Sequence, residues 1–121
     1  MQLYKNFIDG KWIDSESKET IEVDNPATGK VIGKISCAKK TEVDLAINAA
    51  RKSYNSRILV DMPLLSRAKL MRKIADETRK VAKEGGELLC YENGKTLGAA
   101  VKEFNDVADM FDYYAGLTDK L

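Results

Sequence analysis

The sequence predicts an α+β fold in which short antiparallel strands come first and three to four helices follow. Residues 1–40 alternate between apolar and polar and are broken by turn residues, the mark of short strands. From residue 41 onward apolar side chains recur every three or four positions, the mark of helices with one buried face. Asp9-Gly10 and Asn93-Gly94 stand where a strand and a helix should end, because both pairs accept positive φ.

Asn6-Phe7-Ile8 and Lys11-Trp12-Ile13 flank Asp9-Gly10 as the arms of a tight hairpin. Asp14 to Glu19 is a polar loop. Ile21 and Val23 then alternate with Glu22 and Asp24, as a half-buried strand does. Asn25-Pro26-Ala27-Thr28-Gly29 is a turn, and Val31 to Ala38 is a further extended run with Val31, Ile35 and Cys37 on one face. The run Thr41-Glu42-Val43-Asp44 opens a helix, with Thr41 as the side-chain cap and a carboxylate at the positive end of the dipole. Val43, Ile47, Ala50 and Tyr54 are its apolar face. Asn55 to Met62 is an irregular linker with Ile58, Leu59 and Val60 exposed.

The central stretch, Pro63 to Lys95, has the most regular pattern. Leu64, Ala68, Met71, Ala75, Thr78 and Ala82 form a row that Leu65, Ile74, Val81 and Leu88 widen into a stripe. Charged residues from Arg67 to Lys80 fill the opposite side. Pro63 suits the first helical turn, Gly85-Gly86 should break or kink the helix, and Asn93-Gly94 should end it. Thr96 to Gly116 is the last helix, with Leu97, Val101, Phe104, Ala108, Phe111 and Ala115 on one side.

The 121 residues suit one domain with a core of its own. Lys and Arg number 20 against 19 Asp and Glu, so charge makes no case for nucleic acid or an anionic membrane. No apolar run approaches the roughly 18 residues of a membrane span. The first residues lead into no apolar signal segment, and the two cysteines make no disulfide framework, so the cytoplasm is the expected location. There is no histidine, which removes the commonest general base and zinc ligand together.

Each candidate for chemistry has a plainer reading. Cys37 and Cys90 sit among apolar neighbours and read as structural thiols rather than nucleophiles. Gly85-Gly86 and Asn93-Gly94-Lys95 hint at a phosphate loop but lack its spacing and its strand. Glu103, Asp106, Asp109 and Asp112 recur at steps of three and should share one broad face, either solvated or attractive to cations. Phe104, Phe111 and Tyr114, with Leu97 and Val101, would line an apolar tunnel or simply form core.

Several motifs occur in a telling order: Phe-Ile-Asp-Gly-Lys-Trp-Ile at 7–13, Val-Asp-Asn-Pro-Ala-Thr-Gly-Lys-Val-Ile-Gly at 23–33, and the helix from Thr41 to Ala50. Met62-Pro63, Arg67-Ala68, Arg72 to Asp76, Glu92 to Lys95 and Tyr113 to Gly116 follow. In this order they resemble the N-terminal part of the NAD(P)-dependent aldehyde dehydrogenases. The resemblance implies that residues 1–121 are an N-terminal segment of the cofactor-binding domain, part of a larger α/β fold. It implies an enzyme that oxidises an aldehyde to an acid through a thiohemiacetal on cysteine, with NAD or NADP taking the hydride.

The family's cysteine, general base, oxyanion asparagine and Gly-rich turn lie beyond the matching region, so the chain alone is expected to be inactive. The resemblance further implies a monovalent cation near Val23, Asp24 and Glu92, held largely by main-chain oxygens. It aligns Lys102, Glu103 and Asp106 with the aldehyde entrance, where acids accompany cationic substrates such as betaine aldehyde. Departures occur near Leu59, before Met62-Pro63, where the family often has a tryptophan, at Gly85, where an apolar residue is usual, and at Leu89, where a glutamate is usual. The expected partners are the remainder of such a chain and further copies of this one. The alternative is an independent, non-catalytic helical interaction module.

Overall fold

The computed structural model describes residues 2–120. Five strands, β1 (Leu3–Tyr4), β2 (Asn6–Ile8), β3 (Lys11–Ile13), β4 (Thr20–Asn25) and β5 (Lys30–Ser36), precede four helices. The helices are α1 (Lys40–Asn55), α2 (Leu64–Lys80), α3 (Ala82–Asn93) and α4 (Leu97–Leu117). They form two compact units, Met1–Ile58 and Leu59–Leu121. No helix among the described residues is long and apolar enough to cross a membrane.

In the first unit, β2 and β3 form the hairpin, with φ of 50° at Asp9 and 77° at Gly10 as a type I′ turn requires. Phe7 faces Trp12 across it, ring centroids 4.9 Å apart. The second sheet has the order β1-β5-β4. β4 and β5 are antiparallel, joined through Asn25, whose carbonyl accepts from the amides of Thr28 and Gly29. One pairing departs from the antiparallel expectation: β1 lies parallel to β5, Tyr4 opposite Ile35. A parallel pair needs a long crossover, and β2 to β4 supply it.

The start of α1 also differs from expectation. Lys39, not Thr41, is the capping position, and the cap comes from the Glu42 side chain. That carboxylate is buried and accepts the amide of Lys39 at 2.7 Å and the amide of Glu16 at 2.8 Å. It therefore ties the loop after β3 to the first turn of α1. The expected apolar face of α1 is not buried in this unit: Val43, Ile47, Ala50 and Tyr54 are exposed.

In the second unit α4 packs along both α2 and α3, which touch each other little. The central stretch does divide, but at Val81 (φ −96°, ψ 2°) and not at the glycine pair. Gly85 and Gly86 are inside α3, where they admit α4. A Cβ on Gly85 would lie 2.3 Å from the Phe104 ring, and one on Gly86 would lie 2.6 Å from Val101 Cγ2 and 2.9 Å from Val101 Cα. The absence of a side chain is used for helix contact rather than for chain freedom. Gly94, with φ of 79°, does end α3 in the left-handed conformation. Thr96 caps α4 by accepting the amide of Ala99, and Pro63 stands just ahead of α2.

The buried apolar residues among those described are all alanines: Ala68, Ala75 and Ala82 on one side, Ala100, Ala108 and Ala115 on the other. Of the expected wide stripe only this narrow row is buried. Leu64, Leu65, Ile74, Val81, Leu88 and Leu97 remain exposed. The expectation of a substantial core is thus not met; a close-packed seam of small side chains stands in its place.

Candidate functional site

The acids of α4 do not share one face. Each three-residue step falls short of a full helical turn by about 60°, so the row from Glu103 to Asp112 swings through about half a turn. Its two ends lie on opposite flanks of the alanine seam and do different things.

Asp109 and Asp112 serve packing. Arg79 of α2 donates to both through Nη2, at 2.7 Å each, and lies 3.7 Å from Asp76. These bonds, first that to Asp109 and then that to Asp112, hold the guanidinium even more firmly protonated than usual. This is a clamp across the α2–α4 contact.

Glu103 and Asp106 line an open groove of about 550 Å³. Its apolar walls are Met71 from α2 and Val107, Met110, Phe111 and Tyr114 from α4. Val107, Met110 and Tyr114 are about half exposed. Both carboxylates are paired by lysines: Asp106 accepts Lys102 Nζ at 2.7 and 2.6 Å, and Glu103 accepts Lys95 Nζ. Lys102 is not a wall residue and reaches the groove only through Asp106. The aromatic row anticipated as tunnel or core is divided between the two. Phe104 and Val101 pack on the glycines of α3, while Phe111 and Tyr114 line the groove.

Val107 and Met110 are wall residues that the sequence pattern does not single out. Positions 103, 106, 107, 110 and 114 share helical spacing, so α4 carries a second stripe that could reveal them. The stronger stripe beside it hides the weaker one.

Val23 and Asp24 sit in β4 at a register shift, where the partner residue on β5 passes from Gly33 to Val31. Glu92 is in the last turn of α3, so the three residues expected near a cation belong to different units. Among the described residues no three His, Cys, Asp or Glu side chains converge to hold a metal. Phe104 and Val101 fill the space at Gly85-Gly86, so that pair offers no cradle for the phosphates of a dinucleotide.

The chain can be set beside known proteins. The family model "Aldehyde dehydrogenase family" matches residues 12–121. Betaine aldehyde dehydrogenase of Bacillus subtilis is 35% identical over 114 residues, covering 94% of this chain and 23% of that protein. A chloroplastic aminoaldehyde dehydrogenase of Arabidopsis thaliana is 38% identical over 118 residues, covering 95% and 24%. The crystal structure of betaine aldehyde dehydrogenase from Staphylococcus aureus in complex with NAD+ superposes with a TM-score of 0.90 at 32% identity, covering 98% of this chain and 24% of that one. The chain thus spans about a quarter of the length of these relatives. With nearly all of it matched in both sequence and fold, the chain belongs to the aldehyde dehydrogenase family.

Proposed function

We propose that this chain is the N-terminal part of an aldehyde dehydrogenase whose groove between α2 and α4 helps admit an aldehyde bearing a positive charge. The observation that carries this reading is the meeting of Glu103 and Asp106 with apolar and aromatic walls in one groove. A quaternary ammonium with a short carbon chain needs both features. The carboxylates attract its charge, and Phe111 and Tyr114 offer ring surfaces that suit a weakly hydrated cation. A neutral aldehyde would gain only from the walls.

The reaction converts an aldehyde, water and NAD(P)+ into a carboxylate and NAD(P)H with release of two protons. The cofactor, when bound, takes the hydride. The residues that hold it and the reacting groups are assigned to polypeptide outside these 121 residues, and this chain supplies scaffold and entrance wall. Purified chain mixed with NAD+ and betaine aldehyde should produce no NADH; turnover free of any full-length enzyme would overturn that assignment. Betaine aldehyde should bind the groove more tightly than its uncharged carbon isostere, read from the Met71 and Met110 methyl signals by NMR, and Asp106→Asn should remove the preference. Equal binding of the two probes would defeat the cationic reading.

The reading also explains the uncovered helix faces. Leu70 and Ile74 on α2, with Val81 just beyond its end, make an exposed apolar row away from Ala75. In an intact enzyme the remaining polypeptide covers such rows; in this chain copies should associate through them. Light scattering should find the mean mass rising with concentration. A monomer at all concentrations would count against it.

A further inference from the structure

Both carboxylates of the groove are already occupied, and by lysines of the same helical unit. We propose that Lys102 and Lys95 are tethered competitors of the incoming cation, so that they set how strongly the groove selects for positive charge. This rests on the groove being a cation site, as proposed above, and adds what regulates it.

The Lys102–Asp106 pair is built to yield. Lys102 is 71% exposed in its side chain and Asp106 54%, so water screens the pair. Lys102 also precedes its acid by four residues, the less favourable order on a helix, where an acid four residues ahead of a lysine agrees better with the dipole. Lys95 is held more firmly: it comes from the α3–α4 connection and its side chain is 27% exposed. Neither ammonium can enter the apolar part of the groove as a trimethylammonium group can, since it is compact and strongly hydrated. A ligand cation with an apolar shell therefore gains wall contact that the lysine does not, and displaces it. A neutral ligand leaves both pairs in place.

The chain is titrated at low salt with choline and with choline's uncharged carbon isostere, the Met71 and Met110 methyl signals again being followed by NMR. Lys102→Met keeps the aliphatic stem, removes the competitor and should tighten choline by up to about fivefold, the upper end for an exposed ion pair. Lys95→Met should act in the same direction. Lys102→Arg should weaken choline, because a guanidinium can grip Asp106 with two parallel bonds. None of the three should change binding of the isostere, and opposite signs from one position cannot come from lost structure alone. If choline is preferred over the isostere, and Asp106→Asn abolishes that preference, but the lysine variants leave it unchanged, the lysines do not compete and the proposal is overturned while the cation site stands. If wild type does not distinguish choline from the isostere, the cation site fails and the proposal with it.

Discussion

The two units hold together by different means. In the helical unit six alanines are buried where helices meet, and glycines let α3 and α4 approach to contact distance. In the strand unit no apolar side chain among the described residues is buried; Ser15, Gly33 and Glu42 are. There the backbone ladder of β4 and β5 and one buried carboxylate provide the order. Dispersion and exclusion of water act between close surfaces and involve no titrating group. Hydrogen bonds to an ionised group fail when that group is neutralised. The units should therefore come apart under different stresses, and that difference can be tested.

The largest effect is expected in the helical seam. Gly86→Ala would drive a methyl group into the Val101 backbone, which cannot rotate away, so α3 and α4 must separate. Overpacking of this kind costs about 1–3 kcal/mol, and thermal unfolding followed by circular dichroism should register it. Gly98 is the internal control. It lies in α4, and a methyl group added there would meet nothing within 4 Å, so Gly98→Ala should be neutral or should stabilise by up to about 1 kcal/mol. Equal losses at the two positions would mean that the seam is not what the glycines serve.

Next in size is the acid response of the strand unit. Amides of Glu16 and then Lys39 hold the Glu42 carboxyl below its ordinary value of 4.5. Its contribution is complete above that value and is lost as pH falls through the lower folded one. Protection of the Glu16 and Lys39 amides, taken as exchange relative to the intrinsic rate at each pH, should fall over that acid range, while the amides of the Ala75 turn stay protected. In Glu42→Gln that protection should be low already at neutral pH and should vary little with acid. A wild-type profile flat through the carboxylate range would remove Glu42 from its assigned role.

The smallest effect belongs to the polar clamp on the seam. Arg79→Met should lower stability slightly at low salt, with the gap from wild type narrowing as salt rises, because Asp109 is largely exposed and Asp112 partly so. A gap independent of salt would point to lost packing of the arginine stem instead.

Local features were legible without the fold. The Asp9-Gly10 hairpin, the turn at Asn25, the Gly94 stop and the Thr96 start of α4 depend on the φ preferences or side-chain reach of a few adjacent residues. The motif order also identified the family before any geometry was known. The misreadings share a different cause. Gly85-Gly86 looks like a breaker until Phe104 and Val101, far along the chain, occupy the space above it. Thr41 looks like a cap until Glu16 brings a second donor to Glu42. The acids of α4 look like one face until Arg79 claims one end and the groove the other.

The sequence by itself determined where the strands and helices lie, where most of them stop, and which family the chain resembles, because those follow from short-range sterics, periodicity and motif order. Only the tertiary structure decided which apolar residues are buried, what the glycine pair is for, and which two of the four acids meet an apolar wall. Those outcomes depend on what a neighbouring helix presents at a distance of a few ångströms, and no local pattern carries that information.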